Sequence, residues 1–262
     1  MFKTQRHSEI IDILSEERFA SVPSLSQRLY VSMPTIRRDL TYLEECGYIK
    51  RSHGGAILAE QSTNIPLSFR RGKKSNEKIK MCKLAATLVK NGNVIFTDAS
   101  STVLHIADLL SEFENLTVVT NGLKLADRMS DSDTTVFATG GRILKTSFAL
   151  VGTRAVEFVS DFSADIMFFS SSAISRDGMI TDYSEEETLL RKQMMKNASV
   201  KVFMCDSSKF YLNSAFNLCS VNELDYIITD SQLPTDILTT DVFKEAVNDG
   251  IYIYSKKKNG EN

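Results

Sequence analysis

Apolar positions in the first sixty residues recur at helical spacing. Ile10, Ile13 and Leu14 put an apolar stripe on a helix over residues 6–17, and Leu25 and Leu29 do the same on a shorter one over residues 24–30. Ile36, Leu40 and Leu43 follow at i, i+4 and i+7. They predict a third helix with Ser32 as its N-cap, Pro34 in its first turn and Gly47 at its end. The pattern then becomes extended. Tyr48 and Ile49 open a strand, Gly54-Gly55 supplies a tight turn, and Ala56-Ile57-Leu58 returns. Residues 59–75 lose both periodicities and read as a linker. Ser75 or Asn76 then caps a helix running to about residue 90, with Ile79, Cys82, Leu84, Ala85 and Leu88 inward. Beyond it, short apolar runs at 94–97, 116–120, 135–139, 166–169, 200–204, 226–229 and 251–254 alternate with helical stretches at 103–110, 123–129, 154–158 and 184–197. Buried strands alternating with helices indicate an α/β domain built on a parallel sheet. The expected division is residues 1–58, a linker at 59–75, a second domain at 76–255 and a disordered tail at 256–262.

Charge sharpens that division. The 262-residue chain has a net charge of −2. Residues 1–83 hold 15 Lys/Arg against 9 Asp/Glu, and residues 84–262 hold 16 against 24. The basic excess is confined to the end that carries the three short helices, as a nucleic-acid partner requires. Much of it lies in Arg70-Arg71-Gly72-Lys73-Lys74, which reads equally as a solvated linker. No run of about 18 apolar residues occurs, so no membrane span is expected, and the amino terminus lacks the apolar core of a signal peptide. A cytoplasmic protein is expected. Cys46, Cys82, Cys205 and Cys219 fit no zinc spacing, and the three histidines are scattered. No metal and no cofactor are expected.

The chemistry of residues 31–58 points to double-stranded DNA. Thr35, Arg37, Arg38 and Tyr42 lie off the apolar stripe of the third helix. Arg37 and Arg38 diverge by about 100° on a helix of about 3.6 residues per turn, so one is free for a base edge while the other holds a phosphate. Lys50, Arg51 and His53 place further donors on the hairpin. Helix, short turn, helix and basic hairpin is the order of a winged helix-turn-helix.

These residues carry a family resemblance. Arg6, Ile10, Leu14, Val22, Leu25, Leu29, the run Thr35-Ile36-Arg37-Arg38-Asp39-Leu40, Leu43-Glu44 and Arg51-Ser52-His53-Gly54-Gly55-Ala56 resemble the amino-terminal domain of the DeoR family of bacterial transcriptional regulators. The resemblance continues through Asn76-Glu77-Lys78, Asp98 with Thr102, Val118-Val119-Thr120-Asn121, Gly140-Gly141-Arg142, Leu150-Val151-Gly152, Glu187 and Asp206-Ser207-Ser208-Lys209-Phe210. It implies an operator-binding protein, usually a repressor. It places Ser32, Thr35, Arg37 and Arg38 at the DNA, with Arg51 and His53 of the wing near the backbone. Asp39 and Glu44 read as structural, Asp39 orienting Arg38 or a neighbouring base. The implied fold is a winged helix-turn-helix joined to a Rossmann-like parallel-sheet sensor domain resembling ribose-5-phosphate isomerase. The implied ligand is a phosphorylated sugar, and the implied assembly a homodimer or homotetramer.

The loops after the strands offer the groups for such a ligand. Small hydroxylated residues at a helix start make an anion site, and ligands sit at the carboxyl ends of parallel strands. The candidate effector residues are Asp98, Ser100, Ser101, Thr102, Asn121, Gly140, Gly141, Ser171, Glu187, Arg191, Asp206 and Lys209. Three departures from the family pattern fall among them. Ser100 stands where a glycine is common, Ser170-Ser171-Ser172-Ala173 where Gly-Ala-Asp-Gly is common, and Arg191 at a common lysine position. Two alternatives stay open. One is a DNA-binding regulator whose sensor has lost its ligand. The other is an isomerase-like enzyme using Asp98, Asp177, Asp182 or Glu187 as a base.

Overall fold

A computed structural model describes residues 3–46, 48–59, 67–70, 74–238 and 243–257. The chain divides into two compact units, Met1–Lys73 and Lys74–Asn262.

The first unit runs α1 (Lys3–Glu17), β1 (Phe19–Ser21), α2 (Val22–Leu29), α3 (Met33–Glu45), β2 (Ile49–Ser52), β3 (Gly55–Leu58) and α4 (Leu67–Arg70). The helical stripes do what their spacing requires. Ile10, Leu14, Leu25, Leu29, Ile36, Leu40 and Leu43 meet in one core closed by Ile49 and Ala56. Tyr30 ends α2 in the left-handed region, and Ser26 fixes the turn by bonding to Val31 O at 2.6 Å. β1 was not anticipated. It is three residues long and pairs with β3, so the hairpin is the outer part of a three-stranded sheet. That pairing explains Gly55, which belongs to the strand rather than to the turn. A Cβ on it would lie 2.2 Å from Ala20 O. The turn itself is His53-Gly54, with Gly54 at φ +74°. Two further expectations need correction. Ser32 sits at the N-cap of α3, but its hydroxyl bonds to Thr35 Oγ1 at 2.9 Å instead of to a backbone N–H. The expected linker contains the helical turn α4, whose Leu67 is buried. Gly47 and part of the basic run at 70–74 lie outside the described residues.

The second unit runs α5 (Ser75–Ala86), β4 (Val94–Thr97), α6 (Ala107–Leu110), β5 (Thr117–Thr120), α7 (Leu123–Met129), β6 (Thr135–Ala138), β7 (Arg142–Leu144), β8 (Ala149–Val151), α8 (Thr153–Ser160), β9 (Ala164–Phe169), β10 (Ala173–Ile174), β11 (Met179–Asp182), α9 (Glu185–Lys196), β12 (Ala198–Cys205), β13 (Phe216–Ser220), β14 (Tyr226–Thr229), β15 (Phe243–Asn248) and β16 (Ile251–Lys256). Its main sheet has the order β15-β16-β14-β12-β9-β4-β5-β6. The six strands from β14 to β6 are parallel; β16 and β15 are antiparallel at one edge. The sheet is therefore mostly parallel, and the strand expected near 251–254 runs against the others and reaches Lys256. Successive residues serve opposite faces. Ile95, Val118, Ile166, Phe168, Val202 and Met204 pack on one side, and Phe96, Val119, Met167, Phe169, Phe203 and Cys205 on the other. Two covered faces are why these strands read as continuous apolar runs. Neither Ser75 nor Asn76 caps α5. Lys74 does so in the left-handed region, the helix ends at Ala86, and Ile79 is exposed. The hairpin β7–β8 and the antiparallel sheet β10-β11-β13 are additions to the expected pattern.

Candidate nucleic-acid interface and ligand site

In α3 the burial of Ile36, Leu40 and Leu43 turns Arg37 and Arg38 outward. Among the described residues, neither arginine has a side-chain hydrogen bond or ion pair. Ser32 is exposed and Thr35 half-buried at the same helix start. Lys50, Arg51 and His53 are exposed on the hairpin. The hairpin is tied to α3 by Glu44, whose carboxylate accepts the Arg51 backbone N–H at 3.0 Å.

Behind this face lies a charge cluster that sequence reasoning located only in part. Asp39, buried on α3, takes both Nε and Nη2 of Arg6, the latter at 3.0 Å, and His7 Nε2 at 2.9 Å. The base that Asp39 holds is thus Arg6 of α1, not Arg38. Burial pushes the Asp39 pKa up, but the hydrogen bonds and charges of Arg6 and His7 more than offset it, so the carboxyl stays below its usual range. Arg38 is exposed and does not bond to Asp39. The signal in the sequence was a basic pair, Arg6-His7, on the first helix, with nothing to say which acid it met.

In the second unit, strand order reverses between β4 and β9. From β4 the chain builds outward through β5 and β6, and then from β9 through β12 and β14 in the other direction. The crevice at such a reversal is where α/β sheets bind ligands. The carboxyl ends of these two strands are joined there by Asp98, whose Oδ2 accepts the Ser170 N–H at 3.2 Å and whose Oδ1 accepts the Ser100 N–H at 3.1 Å.

Arg191, reaching in from α9, organises the site. Its Nε donates to Asp98 at 2.8 Å, Nη1 to Asp182 at 2.8 Å and Nη2 to Glu187 at 3.5 Å. All four side chains are buried. Burial disfavours the charged guanidinium, yet three carboxylates reverse this and drive its pKa upward. Burial also raises Asp182, but Arg191, the hydroxyls of Ser172 and Ser171 and the Tyr183 N–H hold it below the ordinary carboxylate range. Asp182 was noted in the sequence only as a possible base, and here it is the centre of a bonded set.

The remaining candidates divide. Lys209 Nζ donates to Ser170 Oγ at 3.0 Å and Ser171 O at 2.6 Å. Lys78, almost wholly buried and absent from the candidate set, reaches Ser101 Oγ at 3.3 Å. Asp206 is buried, and the charges of Lys209, Lys78 and Lys74 with a bond from Ser208 outweigh that burial and depress its pKa. Ser100 is not in the left-handed region, so no glycine is needed there, and its hydroxyl accepts the Val103 N–H. Gly140 and Gly141 join none of these bonds among the described residues. Gly141 is demanded by the hairpin, since a Cβ would lie 2.5 Å from Val151 O. Two buried atoms of the candidate set have no hydrogen-bond partner: Thr102 Oγ1 and Asn121 Oδ1. Thr97 Oγ1, at the end of β4, shares that state. Buried polar atoms are normally paired, with ordered water where no protein group serves, and Thr134 Oγ1, Ser147 Oγ and Ser214 Oγ share this state elsewhere in the unit.

Cys82, Cys205 and Cys219 are buried free thiols, and burial pushes their pKa values up, that of Cys219 to about 12. Thiols held protonated are poor nucleophiles and poor ligands. Among the described residues no cluster fit to hold a metal ion occurs, and no helix is long and apolar enough to cross a membrane.

Comparison with known proteins places both units. Residues 6–62 match the model of the DeoR-like helix-turn-helix domain, and residues 73–231 that of the DeoR C terminal sensor domain. The HTH-type transcriptional regulator GolR of Listeria innocua is 37% identical over 89% of this chain and 92% of its own length. The glycerol-3-phosphate regulon repressor of Escherichia coli is 30% identical over 91% of this chain and 95% of its own. Among solved structures, ribose 5-phosphate isomerase A of Methanocaldococcus jannaschii aligns with a TM-score of 0.40 at 17% identity, over 53% of this chain and 55% of that one.

Proposed function

The chain belongs to the DeoR family of DNA-binding transcriptional regulators, and from that premise we propose that it represses a sugar-metabolism operon and is released from its operator by a phosphorylated sugar. The observation that carries the sensing half is the pair of buried, unpartnered oxygens, Thr102 Oγ1 and Asn121 Oδ1, in the loops after parallel strands, with the buried Lys78 bonded to Ser101 of the first loop. A polyhydroxylated anion supplies what these groups lack. Its hydroxyls pair with Asn121 and Thr102, and its phosphate meets Lys78 and Lys209. Ser100, Ser101, Ser171, Asp206 and the Asp98–Arg191–Glu187 set shape that pocket. The DNA half rests on Arg37 and Arg38 in the major groove, with Ser32, Thr35, Lys50, Arg51 and His53 on phosphates. One such module of about 55 residues has limited specific affinity, so a cytoplasmic homodimer or homotetramer on repeated half-sites is the working form.

A ligand releases the operator only through unequal affinity for two states of the protein. The test is operator binding to the DNA upstream of the protein's own gene, at fixed salt, against a panel of phosphosugars that begins with glycerol 3-phosphate, the compound in the E. coli relative's name. One compound should weaken binding at least tenfold, and Thr102→Val with Asn121→Ala should remove the response while operator affinity persists. A second reading is favoured by Arg191, whose guanidinium is already held by three carboxylates. In that reading the sensor is locked without a ligand, and the panel leaves operator affinity unchanged.

A further inference from the structure

The start of α3 carries a long, exposed apolar side chain. Met33 is the first residue of the helix and 44% exposed. It lies one turn before Arg37 and about 40° round the helix from it, and it precedes Ile36 and Leu40 by three and seven residues, so it stands exposed at the helix start on the edge between the buried line and the outer face. Its neighbours at the tip are shorter, and one of their hydroxyl protons is spent within the pair. The hydroxyls of Ser32 and Thr35 are bonded to each other, and Pro34 has no N–H. The longest unpartnered side chain at the start of this helix is therefore a thioether. In helix-turn-helix proteins the first residues of the second helix meet base edges in the major groove. The only apolar group displayed there is the C5-methyl of thymine.

We propose that Met33 is a specificity-determining residue that packs on a thymine methyl, and that this thymine lies about two base steps from the guanine read by Arg37. The spacing follows from geometry. Four residues advance about 6 Å along a helix, and base pairs are stacked about 3.4 Å apart. The flexible, polarisable methionine side chain accommodates the methyl without the fixed geometry of a hydrogen bond.

The experiment uses the full chain and a duplex recovered by selection from a random-sequence DNA pool. Each thymine is replaced in turn by deoxyuridine, which removes the methyl and leaves the pairing edge intact. Guanines are replaced by 7-deazaguanine, and the one whose replacement costs wild type but not Arg37→Ala is the guanine that Arg37 reads. One deoxyuridine position, about two steps from that guanine, should weaken wild-type binding about fourfold, the size expected for one buried methyl. Met33→Ala should bind the thymine duplex about fourfold more weakly than wild type and lose all discrimination at that position. Met33→Leu, which keeps an apolar surface, should retain it. Melting temperature and affinity for non-specific DNA should stay close to wild-type values in both variants, because Met33 is outside the core of the first unit. Equal binding of wild type to every deoxyuridine duplex overturns the assignment. So does a Met33→Ala protein that keeps the wild-type discrimination.

Discussion

Arginine is put to opposite uses at the two ends of this chain. Arg37 and Arg38 stand exposed on α3 with no side-chain partner among the described residues. Arg191 is buried and donates to three carboxylates. The first arrangement leaves the charge exposed and uncompensated among the described residues. The second uses charge to hold strands and helix together at the point where the sheet reverses. Residue type alone does not separate a reader from a scaffold; the number of acids within reach does. The first unit makes the same point internally, because its acid on α3, Asp39, is occupied by Arg6 and His7. Without that pairing, an uncompensated carboxylate would stand one position from Arg38.

The sharpest way to break the comparison is Arg191→Met. It removes the cation and leaves Asp98, Asp182 and Glu187 buried together. Loss of one partner from a buried ion set costs about 3–5 kcal/mol. Urea unfolding followed by circular dichroism should show a loss of that size. Unchanged stability, with the effector response gone, would make Arg191 a ligand contact instead of a scaffold. Arg191→Lys keeps the charge but replaces a planar fork with a point donor, so it should recover only part of the loss.

At the other end the expectation reverses. Arg37→Ala and Arg38→Ala should each change stability by no more than about 0.5 kcal/mol, as for surface positions without structural bonds. Operator affinity should instead fall. The arginine that reads a base should cost about 1–3 kcal/mol on the operator and relax preference at one base pair. The arginine that holds a phosphate should weaken all sequences alike and lower the log–log salt slope by about 1. Binding at several salt concentrations assigns the two roles. A fall in melting temperature comparable to that of Arg191→Met would erase the distinction between the two ends.

The contrast was legible in the sequence only on one side. Local periodicity revealed α3, its buried stripe and the outward arginines, because every residue involved lies within a few turns. Alternating apolar runs revealed the strands and helices around the sensor sheet, because two covered faces leave a run of apolar residues in each strand. Pairings between distant residues left no such trace. Asp39 meets Arg6 across 33 positions and Asp98 meets Arg191 across 93. β1 is too short for a period to show, and Gly55 reads as a turn glycine until β1 is seen against it. The strand order that makes the loops after β4 and β9 neighbours is likewise a property of the whole sheet.

The smallest effect, and the one that sharpens the comparison most, is a pH dependence confined to the first unit's cluster. His7 is buried, which lowers its pKa below the ordinary value of about 6.5. The hydrogen bond and charge of Asp39 oppose that shift, and the charges of Lys3 and Arg6 add to it. The ring also stacks on Tyr42, 4.9 Å between centroids. Because the folded value lies below the unfolded one, the unfolded chain takes up the proton first as pH falls. The stability tied to a neutral His7 is therefore complete above about pH 6.5 and declines as pH drops from there towards the folded pKa, by at most about 1.4 kcal/mol per pH unit. Asp39 contributes in the same direction but lower down. Its pKa is held below the usual range, so its share is lost only as pH falls below about 4. Thermal melting of the full chain between pH 8 and 5 should show the first limb, and His7→Gln should flatten it while leaving the lower limb in place. The Asp98–Asp182–Glu187–Arg191 set contains no histidine, so the flattened profile would assign the limb to the cluster behind α3. A limb that survives His7→Gln would move its origin away from His7.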